Sequence, residues 1–431
     1  MRLRLPRFHG PLDGERGRIL FWMCVLIATN QLGFGGIVPV VPLYAESFGV
    51  TKTAIGLTIA VYGLARFLVA VPAGALADRR GRRSALALGG VVTVVGNALC
   101  AAAPNYEAFL AARFVAGAGA SLVLLGGQVV LADITSPENR GRVMALYQGV
   151  FLFAVGAGTI PGGLLATHLG LRAPFVANAA LAAGVGLLAW YRVPETRDLR
   201  RRDGDQKPMG TRPPLLAQWR IFAQTPGFLL IGLVSFVGFF ARTGALFNVV
   251  PVLARDGIGL KPDAIGLGLA SVSVVSLALA YPSGVLVDRF GRKAVIAPST
   301  ILTGLSMLLF AVAPNFTWYL VACLAWSSAS GIGGASPAAY AADVAPAGMN
   351  ASALGAYRAL ADMGYVVGPL LLGVVSDVWS PEAALGLTTT MLVVSGLVFA
   401  RFAPETYRRQ PVSGASPPSP SGSIAEPTPG S

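Results

Sequence analysis

Residues 74–83 read GALADRRGRR, and 210 positions later residues 284–293 repeat the pattern as GVLVDRFGRK. The two stretches share their Gly, Leu, Asp, Arg, Gly and Arg positions. The same offset relates four other pairs of landmarks: Ala103-Pro104-Asn105 with Ala313-Pro314-Asn315, Asp133 with Asp343, Tyr147 with Tyr357, and Pro194-Glu195-Thr196 with Pro404-Glu405-Thr406. A constant offset over nearly the whole chain indicates that one structural unit has been duplicated.

The composition predicts that both copies lie in a membrane. Hydrophobic residues make up 54% of the chain and charged residues only 12%, whereas soluble domains carry about 25% charged residues. A membrane-spanning helix needs about 20 apolar residues. We therefore predict an all-α polytopic membrane protein with twelve transmembrane helices, six in each copy. The predicted spans are 19–45, 53–77, 84–103, 107–132, 143–167, 173–193, 227–254, 263–287, 294–313, 316–342, 351–376 and 382–402.

The basic residues are distributed unevenly between the loops. With the N-terminus assigned to the cytoplasm, 25 Lys and Arg residues lie on the cytoplasmic side, four on the outer side and four inside predicted spans. This asymmetry follows the positive-inside rule and predicts that both termini are cytoplasmic. It also argues against nucleic acid as the partner of a chain with a net charge of +13, because the basic residues form fringes and not one binding face. The predicted domains are a cytoplasmic N-tail (1–18), an N-terminal bundle (19–193), a cytoplasmic linker (194–222), a C-terminal bundle (223–405) and a disordered C-tail (406–431).

The cysteines and histidines form no recognisable chemical site. Cys24, Cys100 and Cys323 lie in separate apolar runs, and His9 and His168 are far apart. This spacing predicts neither a metal site nor a disulfide framework. The sequence also lacks a catalytic triad, a phosphate-binding loop and a nucleotide-binding motif. We therefore expect no enzyme activity and no cofactor, and any active transport would use an ion gradient, most simply that of protons.

The repeated motifs resemble those of the major facilitator superfamily. The doubled stretch at 74–83 and 284–293 is similar to the signature between helices 2 and 3, and Arg113-Phe-Val-Ala-Gly117-Ala-Gly119 resembles a helix-4 element of proton-coupled members. Residues 33–44, GFGGIVPVVPLY, resemble helix 1 of twelve-span drug:proton antiporters. The resemblance covers residues 18–405 and implies two six-helix bundles related by a pseudo-two-fold axis along the membrane normal. It further implies a monomer in the inner (plasma) membrane.

One motif of the antiporter branch is displaced. Its members usually carry Gly-Pro-x-x-Gly-Gly in helix 5, whereas this chain has Gly158-Thr-Ile-Pro161-Gly162-Gly163. A sequence more similar to this motif, Gly364-xxx-Gly368-Pro369-xxx-Gly373, lies in predicted span 11 instead. Because the antiporter motif is displaced in helix 5, the direction of transport stays open. The small residues and prolines of spans 4, 5 and 11 favour either flexing of the helices or close packing between them. These residues are Gly117, Gly119, Gly158, Pro161, Gly162, Gly364, Gly368 and Pro369.

The resemblance implies that the doubled loop is a cytoplasmic gate. Asp78 would engage the N-terminus of span 11, and Asp288 that of span 5, so that the cytoplasmic side closes in one state. The alternative is that the loop arginines only hold the loop inside by the positive-inside rule. The residues of the predicted gate are Gly74, Asp78, Arg79, Gly81, Arg82, Gly284, Asp288, Arg289, Gly291 and Arg292.

Five charged residues stand out deep inside the predicted spans: Arg66, Arg113, Arg242, Arg358 and Asp362. Charges at this depth are costly and usually face a cavity or a partner. Arg358 and Asp362 are four residues apart and share one helix face, and the resemblance places spans 2 and 11 in contact, so Arg66 is expected to reach Asp362. Two interpretations remain: Asp362 exchanges protons while the arginines tune it, or the three residues form a structural lock.

The resemblance also places the central pathway between spans 1, 4, 7 and 10. It implies a substrate cavity that contains Asn30, Gln31, Arg113, Arg242 and Trp326. The expected partners are a small-molecule substrate and the lipid bilayer.

Three functions are compatible with these features. The first is a proton-coupled exporter of drugs or metabolites, favoured by the helix-1 and helix-4 resemblances. The second is a transporter of organic anions or of an anionic lipid headgroup, favoured by four buried arginines against one buried acid. The third is a membrane receptor that transports nothing, and the intact doubled loop argues against it.

Overall fold

A computed structural model describes residues 14–135, 140–196, 220–222, 224–225, 227–334, 336–345 and 350–406. Within these residues the chain forms helices and no strands, so the all-α prediction is confirmed. The long helices are α1 (Gly14–Ile37), α2 (Lys52–Arg80), α3 (Arg82–Ala102), α4 (Tyr106–Ile134), α5 (Arg140–Leu169), α6 (Ala173–Arg192), α7 (Phe228–Ile258), α8 (Pro262–Phe290), α9 (Arg292–Ala311), α10 (Phe316–Gly333), α11 (Asn350–Val378) and α12 (Pro381–Phe402).

The predicted tails and most of the predicted linker lie outside the described residues. These segments are 1–13, 197–219 and 407–431. The domain bounds given above therefore stay predictions.

Eleven of the twelve described long helices are apolar and long enough to cross a membrane. The remaining one, α10, has 18 residues and carries several hydroxyl side chains, among them Thr317 and Ser327. It packs against α8 and α9 as α4 packs against α2 and α3. We therefore count it as the twelfth span, at the position that the repeat predicts.

Asparagine side chains begin equivalent helices in the two halves. The Asn105 side chain accepts a hydrogen bond from the Ala108 amide at the start of α4, and Asn315 accepts one from the Trp318 amide at the start of α10. Such side chains satisfy an amide that has no partner within the helix. The repeated Ala-Pro-Asn sequence is thus a repeated helix start.

Two predicted spans are interrupted. Span 1 ends as a helix at Ile37 and resumes as a short helix, Val41–Glu46. The interruption contains Pro39, which has no N–H to donate. Span 10 ends at Gly333, and a short helix, Ser336–Asp343, follows the turn at Gly334.

Part of α7 is wound more loosely than the rest. Ala241–Val249 is π-helical and lies between two α-helical parts. Single π-helical segments inside longer helices are often found at functional sites. Arg242 lies in this segment.

The helices pack as two equivalent sets. Within the first six, α1 packs on α5 and α3 on α6, and within the second six, α7 packs on α11 and α9 on α12. The two sets meet mainly along two seams, α2 against α11 and α5 against α8, which the 210-residue repeat relates to each other.

We name the two ends of the molecule by their residues. The motif face carries the turns at Gly81 and Gly291, and the far face carries Glu46, Arg255 and Asp377. A Cβ atom added at Gly74 in α2 or at Gly284 in α8 would meet nothing within 4 Å. At the far face both seams are in close contact, as shown below. The bundles are therefore apart at the motif face and together at the far face.

Candidate substrate cavity

A cavity lies between the two bundles and opens toward the motif face. An adjoining cavity continues it along α2, α4 and α11. Helices α1, α2, α4, α5, α7 and α11 all contribute to the walls of the two cavities. The residues that line both are Arg66, Leu124, Gln148, Phe151, Arg358 and Tyr365.

Three arginines from three helices face the first cavity. Arg66 comes from α2, Arg242 from α7 and Arg358 from α11, so both bundles contribute. Each guanidinium carbon lies near an aromatic ring centre: 5.3 Å from Tyr365 for Arg66, 5.7 Å from Phe247 for Arg242, and 5.5 Å from Phe239 for Arg358. Such contacts favour a cation over an aromatic face while leaving its N–H groups able to bind a ligand.

Asp362 is the carboxylate that faces the adjoining cavity. Its Oδ1 lies 3.5 Å from the Nε of Arg358, as the spacing of the two residues predicts, and Arg66 lines the same cavity. Among the described lining residues, three arginines therefore face one acid. The combined cavity carries a net positive charge.

Arg113 is placed differently from the sequence prediction. It does not line the two large cavities but a smaller one, beyond Tyr365. Its guanidinium carbon lies 4.4 Å from the ring centre of Tyr62, and its Nε donates to the Thr58 carbonyl oxygen at 3.4 Å. Its side chain is 2% exposed. In this conformation Arg113 therefore lies beneath the ring of Tyr62, and its contact with the substrate stays a prediction.

The other predicted cavity residues divide into two groups. Gln31 lines the cavity with Arg242. Asn30 is buried beside it and donates to the Gln31 side-chain oxygen at 2.8 Å, but it is not among the lining residues. Trp326 packs in the core of the second bundle with Tyr319 and Cys323. Asn30 and Trp326 therefore do not line the large cavity in this conformation, and their place in the substrate pathway stays a prediction.

The helix glycines allow close contacts between neighbouring helices. Cβ atoms at Gly158 and Gly162 of α5 would lie 2.1 and 2.0 Å from carbonyl oxygens of α1. Those at Gly364 and Gly368 of α11 would lie 2.1 and 2.6 Å from carbonyl oxygens of α7. The equivalent distances are 2.4 Å to α2 for Gly117 and 2.4 Å to α3 for Gly119. These contacts favour the packing interpretation, and flexing at these residues and at Pro161 stays a prediction.

Equivalent contacts close both seams at the far face. A Cβ at Gly56 would lie 2.0 Å from the Pro369 carbonyl oxygen, and one at Gly266 would lie 2.4 Å from that of Thr159. Any larger side chain at Gly56 or Gly266 would therefore push the bundles apart.

Helix ends are capped across the same seams. The Asp377 carboxylate of α11 accepts hydrogen bonds from the Lys52 and Thr53 amides, at 2.8 and 2.7 Å, where α2 begins. In the other seam the Thr167 hydroxyl of α5 accepts from the Asp263 amide at 3.1 Å, where α8 begins. Each bundle thus completes a helix end of the other.

An ion pair also joins the two bundles at the far face. Arg255 Nη2 of α7 lies 2.5 Å from Glu46 Oε2, and the two residues belong to different bundles. Asp256 and Lys52 are the other charged groups near Glu46.

The motif loops contact their own bundles. Arg82 donates from Nε to Asp133 Oδ2 at 2.8 Å and from Nη1 to the Ala77 carbonyl oxygen at 3.1 Å. In the second half Arg292 pairs with Asp343 in the same way. Arg82 and Arg292 thus pair within their own bundles in this conformation, and their role in a gate stays a prediction.

The remaining gate residues whose side chains are described form no such ion pair with any other described side chain. Arg79 and Arg289 are exposed, and Gly74 and Gly284 border open space. The side chains of Asp78 and Asp288 lie outside the described residues, so their gating role stays a prediction.

Glutamates at the ends of the two halves complete these networks, and sequence reasoning did not assign them. Glu195 accepts hydrogen bonds from the amides of Arg82 and Arg83 at 3.1 and 3.4 Å. Glu405 does the same for Arg292 and Lys293, at 3.2 Å each. Gly81 has φ of +96° and a Cβ there would lie 2.2 Å from the Glu195 carboxylate, so only glycine fits this turn. The signal was the repeated Pro-Glu-Thr sequence.

Comparison with known proteins agrees with this architecture. The family model of the Major Facilitator Superfamily matches residues 23–261 and 232–426. The tetracycline resistance protein, class C, of Escherichia coli is 29% identical over 323 residues, which are 71% of this chain and 76% of that protein. Two solved structures share the fold: the human organic anion transporter MFSD10 (TM-score 0.63, 20% identity, 90% of this chain and 100% of that one) and a D-xylose-proton symporter (TM-score 0.71, 17% identity, 90% and 98%).

These matches confirm the resemblance inferred from residues 74–83 and 284–293, including that to the drug:proton antiporter branch. They also confirm the predicted fold of twelve helices in two six-helix bundles. The chain is a multi-pass membrane protein of the major facilitator superfamily.

Proposed function

We propose that this protein is a proton-coupled secondary transporter of small organic anions, working by alternating access in the plasma membrane. The observation that carries the proposal is the set of three arginines, Arg66, Arg242 and Arg358, which line one cavity, whereas the described lining of the two cavities contains a single carboxylate, Asp362, in the adjoining one. Superfamily members bind small molecules between their two bundles.

The walls of the cavity support an anion with an apolar body. Arginine presents several N–H donors in a plane and binds carboxylates with two parallel hydrogen bonds. The aromatic residues Phe34, Phe151 and Phe247 line the rest of the wall and would cover an apolar body. A cation would meet repulsion from three guanidinium groups.

Proton coupling follows from the position of Asp362. Protonating this carboxylate would remove the one negative charge among the described lining residues of the two cavities and strengthen the binding of an anion. Thermodynamic reciprocity then requires the anion to strengthen proton binding by the same factor. The anion and the proton would therefore cross together in the same direction.

The orientation follows from the basic residues. The positive-inside rule places the motif face in the cytoplasm, which makes this conformation inward-open. Single cysteines at positions 80 and 290 should both react with an impermeant thiol reagent only from the cytoplasmic side. Labelling of either one from outside would overturn this orientation.

A proton-coupled exporter of drugs or metabolites is the second candidate. It is favoured by the tetracycline resistance relative. A cationic drug would compete with the proton for Asp362, so the two would move in opposite directions. The direction of proton flux therefore separates the two functions.

The test is transport by proteoliposomes under an imposed pH gradient, with aromatic carboxylates and organic cations assayed in parallel. We expect flux of the carboxylates, accompanied by protons in the same direction. Arg242→Gln should abolish this flux, while Arg401→Gln, at the exposed end of α12, should leave it unchanged. Flux of cations alone, with protons moving oppositely, would favour the exporter. Normal anion flux in Arg242→Gln would remove the arginines from the mechanism.

A further inference from the structure

Arg113 is a buried cation with an unfilled hydrogen-bonding position. Its side chain is 2% exposed, and its Nη1 has no hydrogen-bond partner among the described residues. Its contacts are a carbonyl oxygen at 3.4 Å and the face of Tyr62 at 4.4 Å, both neutral groups. No carboxylate of the described residues forms an ion pair with it.

A buried charge without a partner is strongly disfavoured. Removing a guanidinium from water costs a large desolvation energy, which neutral groups repay only in part. Positions of this kind are therefore usually paired with an opposite charge or a bound ion. An anion beside Arg113 would both neutralise the buried positive charge and accept a hydrogen bond from Nη1.

The space for such an anion exists beside Arg113. The small cavity, in which about 20 Å³ is open to the centre of a water molecule, is lined by Arg113 and by seven apolar or aromatic residues. These seven are Phe34, Ile37, Val38, Val41, Ile59, Phe247 and Tyr365. In this lining Arg113 supplies the charge, so the ligand is held at one end by a cation and surrounded elsewhere by apolar groups.

Three aromatic residues separate this small cavity from the large one. Phe34, Phe247 and Tyr365 line both, and we call them the aromatic septum. Tyr365 contacts Arg66 on the side of the large cavity, with 5.3 Å between the guanidinium carbon and the ring centre. Arg66 and Arg113 therefore lie on opposite sides of the septum.

We propose that the small cavity beyond the septum is a second anion site, in which Arg113 binds one small anionic group. The group is a carboxylate or a halide ion, because the cavity has room for little more than one such group. It comes either from the transported anion, whose carboxylate passes from Arg66 to Arg113 when the bundles rock, or from free chloride. The first source rests on the proposed function, whereas binding at the site does not.

The experiment measures anion binding by the purified full-length protein in detergent. The apparent melting temperature is followed while chloride or acetate replaces gluconate, an anion too large for the cavity, at constant ionic strength. Wild type should gain stability in a saturable way. Arg113→Gln should bind chloride about thirtyfold more weakly or not at all, while Arg401→Gln, at the exposed end of α12, should titrate like wild type. Arg113→Lys, which keeps the charge, should retain a weaker response and covers the case in which Arg113→Gln does not fold.

The outcomes separate this inference from the proposed function. If wild type responds to neither chloride nor acetate, or if Arg113→Gln titrates like wild type, the site does not exist, whatever the transport assay shows. If the site titrates but proteoliposomes carry no organic anion, the site stands and the proposed function fails. Competition between benzoate and bound chloride would assign the site to the transported carboxylate, and independence would assign it to chloride.

Discussion

Replacing Asp133 with Asn should destabilise the protein far more than replacing its repeat equivalent, Asp343. Both carboxylates pair with the arginine of a motif loop, Arg82 in the first half and Arg292 in the second. The two pairs differ in burial. The side chains of Arg82 and Asp133 are 8% and 1% exposed, whereas those of Arg292 and Asp343 are 23% and 32% exposed.

The burial sets the expected magnitudes. Removing one partner of a buried ion pair costs about 3–5 kcal/mol, because the other charge stays buried without compensation. The Ala77 carbonyl oxygen still accepts from Arg82, and Asn keeps one acceptor oxygen, so we expect about 3 kcal/mol for Asp133→Asn. A solvent-exposed pair contributes about 0–1 kcal/mol, which is the expectation for Asp343→Asn.

The assay is thermal unfolding of the two variants in the same detergent, followed by a thiol-reactive dye or by intrinsic fluorescence. With about 2–4 °C per kcal/mol for a unit of this size, Asp133→Asn should lower Tm by about 6 °C or more and Asp343→Asn by less than about 4 °C. Equal shifts in the two variants would show that burial does not decide the strength of these networks. Raising the salt concentration should weaken only the Asp343 pair, since exposed charges are screened.

Two further predictions concern the far face. Gly373→Val should shift the population toward a far-face-open state, because a Cβ there would lie 2.6 Å from the Lys52 carbonyl oxygen. Distances between spin labels on the two bundles would measure this shift. Gly386→Val is the control, because a Cβ at Gly386 would have no atom within 4 Å. Burial raises the pKa of the Glu46 carboxyl, an effect that Arg255 opposes. A carboxyl whose pKa is higher in the closed form than when exposed stabilises closure below its ordinary pKa and loses that contribution as the pH rises through the raised value. In wild type, far-face closure should therefore weaken as the pH rises from mildly acidic to neutral. In Glu46→Gln the population of the closed state should depend less on pH. A pH dependence in the variant equal to that of wild type would exclude Glu46 as the responsible group.

Residues whose role depends on their neighbours in the sequence could be predicted from the sequence. The helix starts at Asn105 and Asn315, the turns at Gly81 and Gly291, and the order of the twelve spans all follow from local patterns and the repeat. The pairing of Arg358 with Asp362 follows from their spacing on one helix.

Residues whose role depends on helix rotation were not predictable. Membrane helices are apolar on every side, so periodicity does not say which face of span 10 meets the cavity. Trp326, which we expected to line the cavity, packs in the core of the second bundle in this conformation. The ring of Tyr62, which belongs to another helix, lies against the Arg113 guanidinium, and the sequence does not predict this contact. Glu195 lies just beyond a predicted span, where no rule assigned it a partner.

The exchanged caps of the far face have a consequence for the path of opening. When α2 and α11 part, the amides of Lys52 and Thr53 lose a carboxylate, whereas the Asp263 amide loses only a neutral hydroxyl when α5 and α8 part. Hydrogen bonds to a charged acceptor are roughly twice as strong as those between neutral groups. The rotation axis for opening should therefore lie nearer to Asp377 than to Thr167. The opening of two halves that began as copies of one sequence would then be asymmetric. The α2–α11 seam would stay close to the axis, and the α5–α8 seam would open more widely.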